Sequence, residues 1–279
     1  MEQLGNMRFP HTLVALPLSR ESPATPAAAA SRHFRPLPPH LAALRDRMRP
    51  VQTSAGVLAF CDPRVDCCLP GGGLPLGQLH EIGAAGLEAE TGAVAAGFVA
   101  GLLARLAPSR PVFWVTPCGD LYAPGLLSYG LDPGRLVLVR PDGDAATLGA
   151  MEAALRSGGA AAVVGEVGAF GRIASRRLQL ACLHHASTGF VLRRWPYGRT
   201  HADREATAAV TRWRIAAAPG APDAEVARPR WIVALTHARG GRTGEWVMEV
   251  ADDDTPHAFR VVAALAGDAA VAPASRRAG

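Results

Sequence analysis

The chain has 279 residues, 49% of them hydrophobic, which is enough for one well-filled core of ordinary domain size plus tails. Its net charge of +5 permits contact with nucleic acid, but the excess is modest and spread along the chain, so the sign assigns no partner. Five cysteines without C-x-x-C spacing exclude a disulfide framework or zinc site as the first expectation, and the longest uncharged apolar stretch, Thr91 to Ala104, is shorter than the roughly 20 residues of a membrane span.

Residues 1–50 mix Pro, Ala and Arg and read as a tail with one short docking helix, Leu41 to Met48. The apolar patch Leu13 to Leu18 has Glu2 ahead of it and Pro17 within it, which is poor material for a secretory signal, so a cytoplasmic protein with free thiols is expected. A domain over 51–266 follows, with a core at 51–194 and an extension at 195–266, and residues 267–279 read as a disordered tail. In the core, strands are expected at Gly56 to Phe60, Gln78 to Ile82, Val112 to Thr116, Leu136 to Arg140, Ala160 to Gly165 and Gly189 to Arg193. Helices are expected at Pro63 to Leu69, Glu88 to Ala107, Ala123 to Tyr129, Ala145 to Ser157 and Arg172 to Ala186.

Apolar strands without strict alternation, separated by helices, predict an α/β doubly wound core: a mainly parallel sheet with helices on both faces. Beyond Tyr197 the pattern turns to alternation, with Thr211, Trp213, Ile215 and Ala217 on one face and Arg212 and Arg214 on the other. Further strands at Trp231 to Thr236, Glu245 to Val250 and Phe259 to Ala263 predict antiparallel C-terminal strands extending the sheet.

The densest signal runs Asp66-Cys67-Cys68-Leu69-Pro70-Gly71-Gly72-Gly73-Leu74-Pro75-Leu76-Gly77-Gln78-Leu79-His80-Glu81-Ile82, then a Gly-bearing turn and a long apolar helix. It resembles the entry to the nucleotide-binding strand of RecA-family proteins. Three later passages match in order: Val112 to Thr116 with Asp120, Tyr129 to Leu136, and Ala154 to Gly159 ahead of the Ala161 to Val164 strand. The resemblance covers about half the chain, from 51 to 194, and implies a RecA-like fold.

The chemistry of a P-loop is missing from it. G-x-x-x-x-G-K-[ST] needs glycines for backbone approach to phosphates, a lysine for their charge and a hydroxyl for magnesium. Here the segment reads Gly83-Ala84-Ala85-Gly86-Leu87-Glu88-Ala89-Glu90-Thr91, and all 29 fixed cationic side chains of the protein are arginine. Glu88 and Glu90 bring carboxylates toward a triphosphate, at about 1 to 4 kcal/mol per like-charge contact. They suit the first turn of a helix instead. Where the resemblance puts a magnesium-binding aspartate stands Gly165, and Glu166, one place on, is expected on the opposite face as a solvent-facing or capping residue.

Within that superfamily the chain resembles the ImuA family of inducible-mutagenesis accessory proteins. The resemblance rests on Leu58 to Asp66, Leu79 to Ile82, the absent lysine, and Arg239-Gly240-Gly241-Arg242 ahead of Gly244-Glu245-Trp246. It implies a non-catalytic role in SOS-induced translesion DNA synthesis. The implied partners are a Y-family-polymerase-like protein and an error-prone polymerase subunit, with RecA and single-stranded DNA as further candidates, and no cofactor, metal or membrane.

Arg193-Arg194-Trp195-Pro196-Tyr197-Gly198-Arg199 joins arginines to aromatics at a strand end, a combination that holds phosphates while rings stack on bases. An exposed connection packing its aromatics on the core is the plainer reading. Arg239, Arg242 and His237 flank a Gly-Gly turn, either an anion-binding hairpin tip or an ordinary turn. His184 and His185 lack a partner at metal spacing, and Arg172, Arg176 and Arg177 face an acidic partner or solvent. No serine sits in a G-x-S-x-G elbow, which removes the usual support for nucleophilic catalysis. A SulA-like division inhibitor, also RecA-related and without a P-loop, is the alternative function. An active RecA-type ATPase is argued against by the missing lysine.

Overall fold

The computed structural model describes residues 55–85, 88–107, 109–194, 206–220, 228–250 and 259–266. The expected tails and the Leu41 to Met48 helix lie outside them. Aliphatic runs buried on both faces make the central strands β3 (Leu79–Ala84), β6 (Ala162–Val167) and β7 (Thr188–Arg193). They join β4 (Val112–Val115), β5 (Leu136–Val139), β8 (Thr211–Ala217), β9 (Arg230–Ala238), β10 (Gly244–Val250) and β11 (Phe259–Ala266) in one nine-stranded sheet ordered β11-β10-β9-β8-β3-β7-β6-β4-β5. The pairs from β8 through β5 are parallel and those from β8 to β11 antiparallel. The protein is thus an α/β fold on a mixed, mostly parallel sheet.

Helix α2 (Glu88–Ala104) covers one face, while α3 (Gly143–Arg156) and α4 (Arg172–His185) cover the other. Successive residues of a strand serve opposite layers. In β6, Val164 joins the α2 side and Val163 the α3/α4 side; in β7, Phe190 and Val191 divide the same way. Helix α2 is apolar almost all round because it is enclosed on more than one side. Beneath it lies the sheet, and against it pack Trp213, Trp231 and Phe259 of the extension and Tyr129 of the 3-10 turn Ala123–Tyr129. Burying Phe98, Leu102 and Leu103 there contributes about 1.5 to 3 kcal/mol each.

Several expectations need correction. Val57–Leu58, β1, does not enter the main sheet but pairs with β2 (Leu74–Pro75) in a separate two-stranded ribbon. Local groups hold it there: Gly56 has φ +78°, and the Phe60 amide donates to Asp66 Oδ1 at 2.7 Å. The following helix is only α1 (Pro63–Asp66), and Ala123–Tyr129 is a 3-10 turn ended by Gly130 at φ +83°. Strand β8, expected antiparallel, runs parallel to β3 and antiparallel only to β9.

The connections place a site. After β3 and β4 the chain moves to the face of α2, whereas after β5 and β6 it moves to the opposite face. Strands β4 and β6 are neighbours, so their carboxyl ends mark a switch point, where open α/β sheets leave a crevice for ligands.

Candidate functional site

At that switch point stands a buried carboxylate. Glu166, in β6, is only 1% exposed. It points to the α2 side, because the preceding Gly165 faces α3, where a Cβ would collide with Met151. The expectation of a solvent-facing Glu166 is therefore wrong, and Gly165 is in the wrong layer to serve a site beside α2. The one-residue offset reverses which side chain faces the α2 layer.

Three donors meet the Glu166 carboxylate. The Trp114 indole Nε1 donates at 2.6 Å, the Thr116 hydroxyl at 2.9 Å and Arg194 Nη1 at 2.8 Å. All come from strands flanking β6: Trp114 is in β4, Thr116 follows it, and Arg194 follows β7. The second arm of the guanidinium donates to Asp120 Oδ2 at 2.6 Å, and the Arg194 amide donates to the Val167 carbonyl at 2.9 Å. The side chain of Asp120 is 57% exposed and that of Arg194 17%, so Asp120 is the mouth of the cluster and Glu166 its floor. The hydrogen bond from Arg194 holds the Asp120 carboxyl below the ordinary carboxylate range, against the smaller opposing effect of burial.

Of the residues expected near a nucleotide, Gly83 is buried in β3, level with Arg193 of β7 and Arg214 of β8. Glu88, Glu90 and Thr91 fall at the start of α2, and Gly86 lies outside the described residues. The chain leaving β3 remains tied to β8, since the Ala85 amide donates to the Ile215 carbonyl at 2.7 Å.

Of the expected arginine patch, the structure places Arg193 and Arg194, and neither stands in an exposed cluster. Arg193 is 6% exposed and belongs to the α3/α4 side, where Nη1 donates to the Phe170 carbonyl at 3.1 Å and lies 3.7 Å from Glu81. Its guanidinium carbon lies 5.6 Å from the Phe170 ring centroid. Strand alternation sends neighbouring arginines to opposite layers, Arg193 to Glu81 and Arg194 to Glu166, so neither projects as a free phosphate ligand. Glu81 also accepts from Thr207 at 2.6 Å and Arg212 at 3.3 Å. Trp195, Tyr197 and Arg199 lie outside the described residues.

Arg239 and Arg242 sit on the β9–β10 turn, which Gly240 makes at φ +77°. Both are exposed, yet both touch protein. Arg239 Nη2 donates to the Ala208 carbonyl at 2.9 Å, and the Arg242 amide donates to the Cys68 carbonyl at 2.8 Å. The turn is thereby docked on the segment that precedes β2.

Trp114, Thr116 and the role of Asp120 were not identified from sequence. The signal was present: a buried indole on a strand needs an acceptor, and Glu166 is the acid two residues beyond Val164, the partner of Trp114 on the adjacent strand. No helix among the described residues is long and apolar enough to cross a membrane.

The chain matches no protein-family model. Protein ImuA of Caulobacter vibrioides (strain NA1000 / CB15N) is 45% identical over 239 residues, spanning 82% of this chain and 98% of the relative. Protein ImuA of the strain ATCC 19089 / CIP 103742 / CB 15 gives the same values. Among solved structures, SulA from Pseudomonas aeruginosa aligns over 41% of this chain and 96% of its own, at 24% identity and a TM-score of 0.36, a likeness too slight to bear on fold or function. At 45% identity across 82% of its length, the chain belongs to the ImuA family.

Proposed function

We propose that the protein is a non-catalytic accessory of DNA-damage-induced, error-prone translesion synthesis. It acts by binding a Y-family-polymerase-like partner, with an error-prone polymerase subunit, RecA and single-stranded DNA as further contacts, and it works in the cytoplasm. Its domain is RecA-like, with the nucleotide crevice closed from within. Membership of the ImuA family supports the setting in mutagenesis.

The observation that carries the non-catalytic reading is the Glu166–Arg194 pair. In a P-loop enzyme the carboxylate at the end of this kind of strand faces a magnesium ion that neutralises phosphate charge. Here Glu166 is already engaged by Trp114, Thr116 and a permanently charged guanidinium, and the chain contains no lysine to reach a phosphate. A site that has already neutralised its acid with its own arginine lacks both halves of the usual machinery.

Two measurements test the reading. The double variant Ala89→Lys/Glu90→Thr restores the P-loop lysine and hydroxyl in sequence, and its expected ATP turnover equals that of a buffer blank. Turnover by it or by the wild type would sink the non-catalytic assignment. Tagged protein recovered from damaged cells is expected to bring down a Y-family-polymerase-like protein, identified by mass. Recovery of the division GTPase in its place would refute the mutagenesis assignment.

A further inference from the structure

Helix α4 packs on the sheet through Leu178, Ala181 and Cys182. Its opposite side carries Ile173, Arg176, Arg177, Leu180 and His184 at helical spacing, forming one outer stripe. Ile173 is 81% exposed and Leu180 47%, two aliphatic side chains seven residues and two turns apart. Single exposed aliphatics are commonplace. A pair on one stripe, set among arginines, has the spacing of helix-recognition anchors.

A second observation concerns charge. The helix begins at Gly171 with no side-chain cap, its first turn contains no acid, and Arg172 opens it with Arg176 one turn on. The free amides there make this end positive, so Arg172 opposes the helix that carries it, and Arg176 sets a second like charge four residues on. Arg177 is engaged by Glu152 of α3, whereas the guanidinium groups of Arg172 and Arg176 have no hydrogen-bond or ion-pair partner among the described residues. Helix stability does not account for those two positions, but an acidic partner does.

The geometry points to the outer face of α4 as the docking site for an acidic amphipathic helix of another protein, with two aliphatic side chains meeting Ile173 and Leu180 and carboxylates meeting Arg172 and Arg176. Nucleic acid fits less well, since its phosphates would meet the arginines and leave the aliphatics without partners. Residues 1–50 of this chain fit poorly too, because they carry seven arginines (8, 20, 32, 35, 45, 47 and 49) against three acids (2, 21 and 46). The inference stands on α4 alone and does not depend on the mutagenesis assignment.

The test is a displayed library of amphipathic helical peptides panned on the full-length protein. Recovered peptides are expected to be rich in Asp and Glu, with two aliphatics seven residues apart. A synthesised member should bind Ile173→Asp and Arg172→Glu/Arg176→Glu at least ~10-fold more weakly than wild type, a ΔΔG of about 1.4 kcal/mol. The arginine variant also removes charges unfavourable to the helix, so its urea midpoint should hold or rise, which separates lost binding from lost folding. No enrichment, recovered peptides without acidic bias, or equal binding by all variants would overturn the proposal. So would concentration-dependent dimerisation abolished by Ile173→Asp, which makes the occupant a second copy. Binding to single-stranded DNA that Arg172→Glu/Arg176→Glu abolishes and Ile173→Asp leaves intact would likewise overturn it in favour of nucleic acid.

Discussion

Arg194 Nη1 lies 2.8 Å from Glu166 Oε2, and the same guanidinium reaches Asp120 at 2.6 Å, so one cation ties the ends of three parallel strands together. The pair is asymmetric. Glu166 is enclosed, whereas Arg194 retains some access to water, and the penalty for separating them falls on the acid.

Arg194→Ala should therefore destabilise the fold by about 3 kcal/mol, the lower part of the range for stripping one partner from a buried pair, because Trp114 and Thr116 still serve Glu166. Adding Glu166→Gln to that variant should recover part of the loss, since no buried charge is then left unpaired. Urea unfolding of the two singles and the double at neutral pH reads out the coupling. Additive losses would show that the pair contributes nothing beyond its parts.

The sequence disclosed the sheet better than the site, for a physical reason. β6 and β7 are apolar on both sides, so their runs announce buried parallel strands whichever register is chosen. That same two-sidedness hides register: in Val163-Val164-Gly165-Glu166 nothing local says which residue faces which layer. Packing decides it, through Met151 filling the space beside Gly165. The Arg193–Arg194 pair misled for a related reason. A strand continuing past its apolar run sends consecutive arginines to opposite layers, and each meets a buried glutamate of a flanking strand that is remote in sequence, Glu81 of β3 or Glu166 of β6. β1 forms a strand as its apolar run predicts, but the Asp66 contact and the positive φ of Gly56 turn it back onto β2 instead of into the main sheet, a choice that strand propensity does not encode.

His80 makes stability depend on mildly acidic pH. Its ring is fully enclosed, with Nδ1 2.7 Å from Thr211 Oγ1 and Nε2 2.9 Å from the Pro75 carbonyl, and burial lowers its pKa to about 4 despite the opposing carbonyl contact. The folded protein keeps the ring neutral, while an unfolded chain protonates it near pH 6.5. Stability from this group is complete above about pH 6.5 and falls as pH drops toward about 4, by up to about 3 kcal/mol. Urea midpoints at pH 7.5 and pH 5, values about one unit outside and inside that window, should differ for wild type and much less for His80→Gln. Asp120 and Glu249, whose pKa values are lowered, act in a separate window below about pH 4.

Glu249 in β10 sits level with Arg230 of β9 and Arg260 of β11 and is 3% exposed. Burial pushes its carboxyl up, but Arg260 and Arg230 together hold it below the ordinary range. The two arginines differ in consequence, because the Arg230 side chain is 17% exposed and that of Arg260 60%. Arg230→Ala should destabilise the extension by about 2 kcal/mol, and Arg260→Ala, at a largely solvated side chain, by under about 1 kcal/mol. Thermal unfolding that ranks them the other way would refute this ordering.

Gly101 of α2 tests how tightly the extension is seated on the helix. By helix propensity alone, Gly101→Ala stabilises by about 1 kcal/mol. A Cβ at that position, however, would lie 2.5 Å from Cζ of Phe259, a ring stacked 5.1 Å from Phe98 and edge-on to Trp231 at 5.6 Å. Moving a ring so enclosed costs about 1 to 3 kcal/mol, so the overpacking term wins and the expected result is net destabilisation of about 1 kcal/mol. Gly101→Ala combined with Phe259→Leu should reverse part of that loss, because the smaller side chain relieves the contact. If Gly101→Ala raises the unfolding temperature, the ring is free to move aside and β11 is held less closely against α2 than the packing of Phe259 implies.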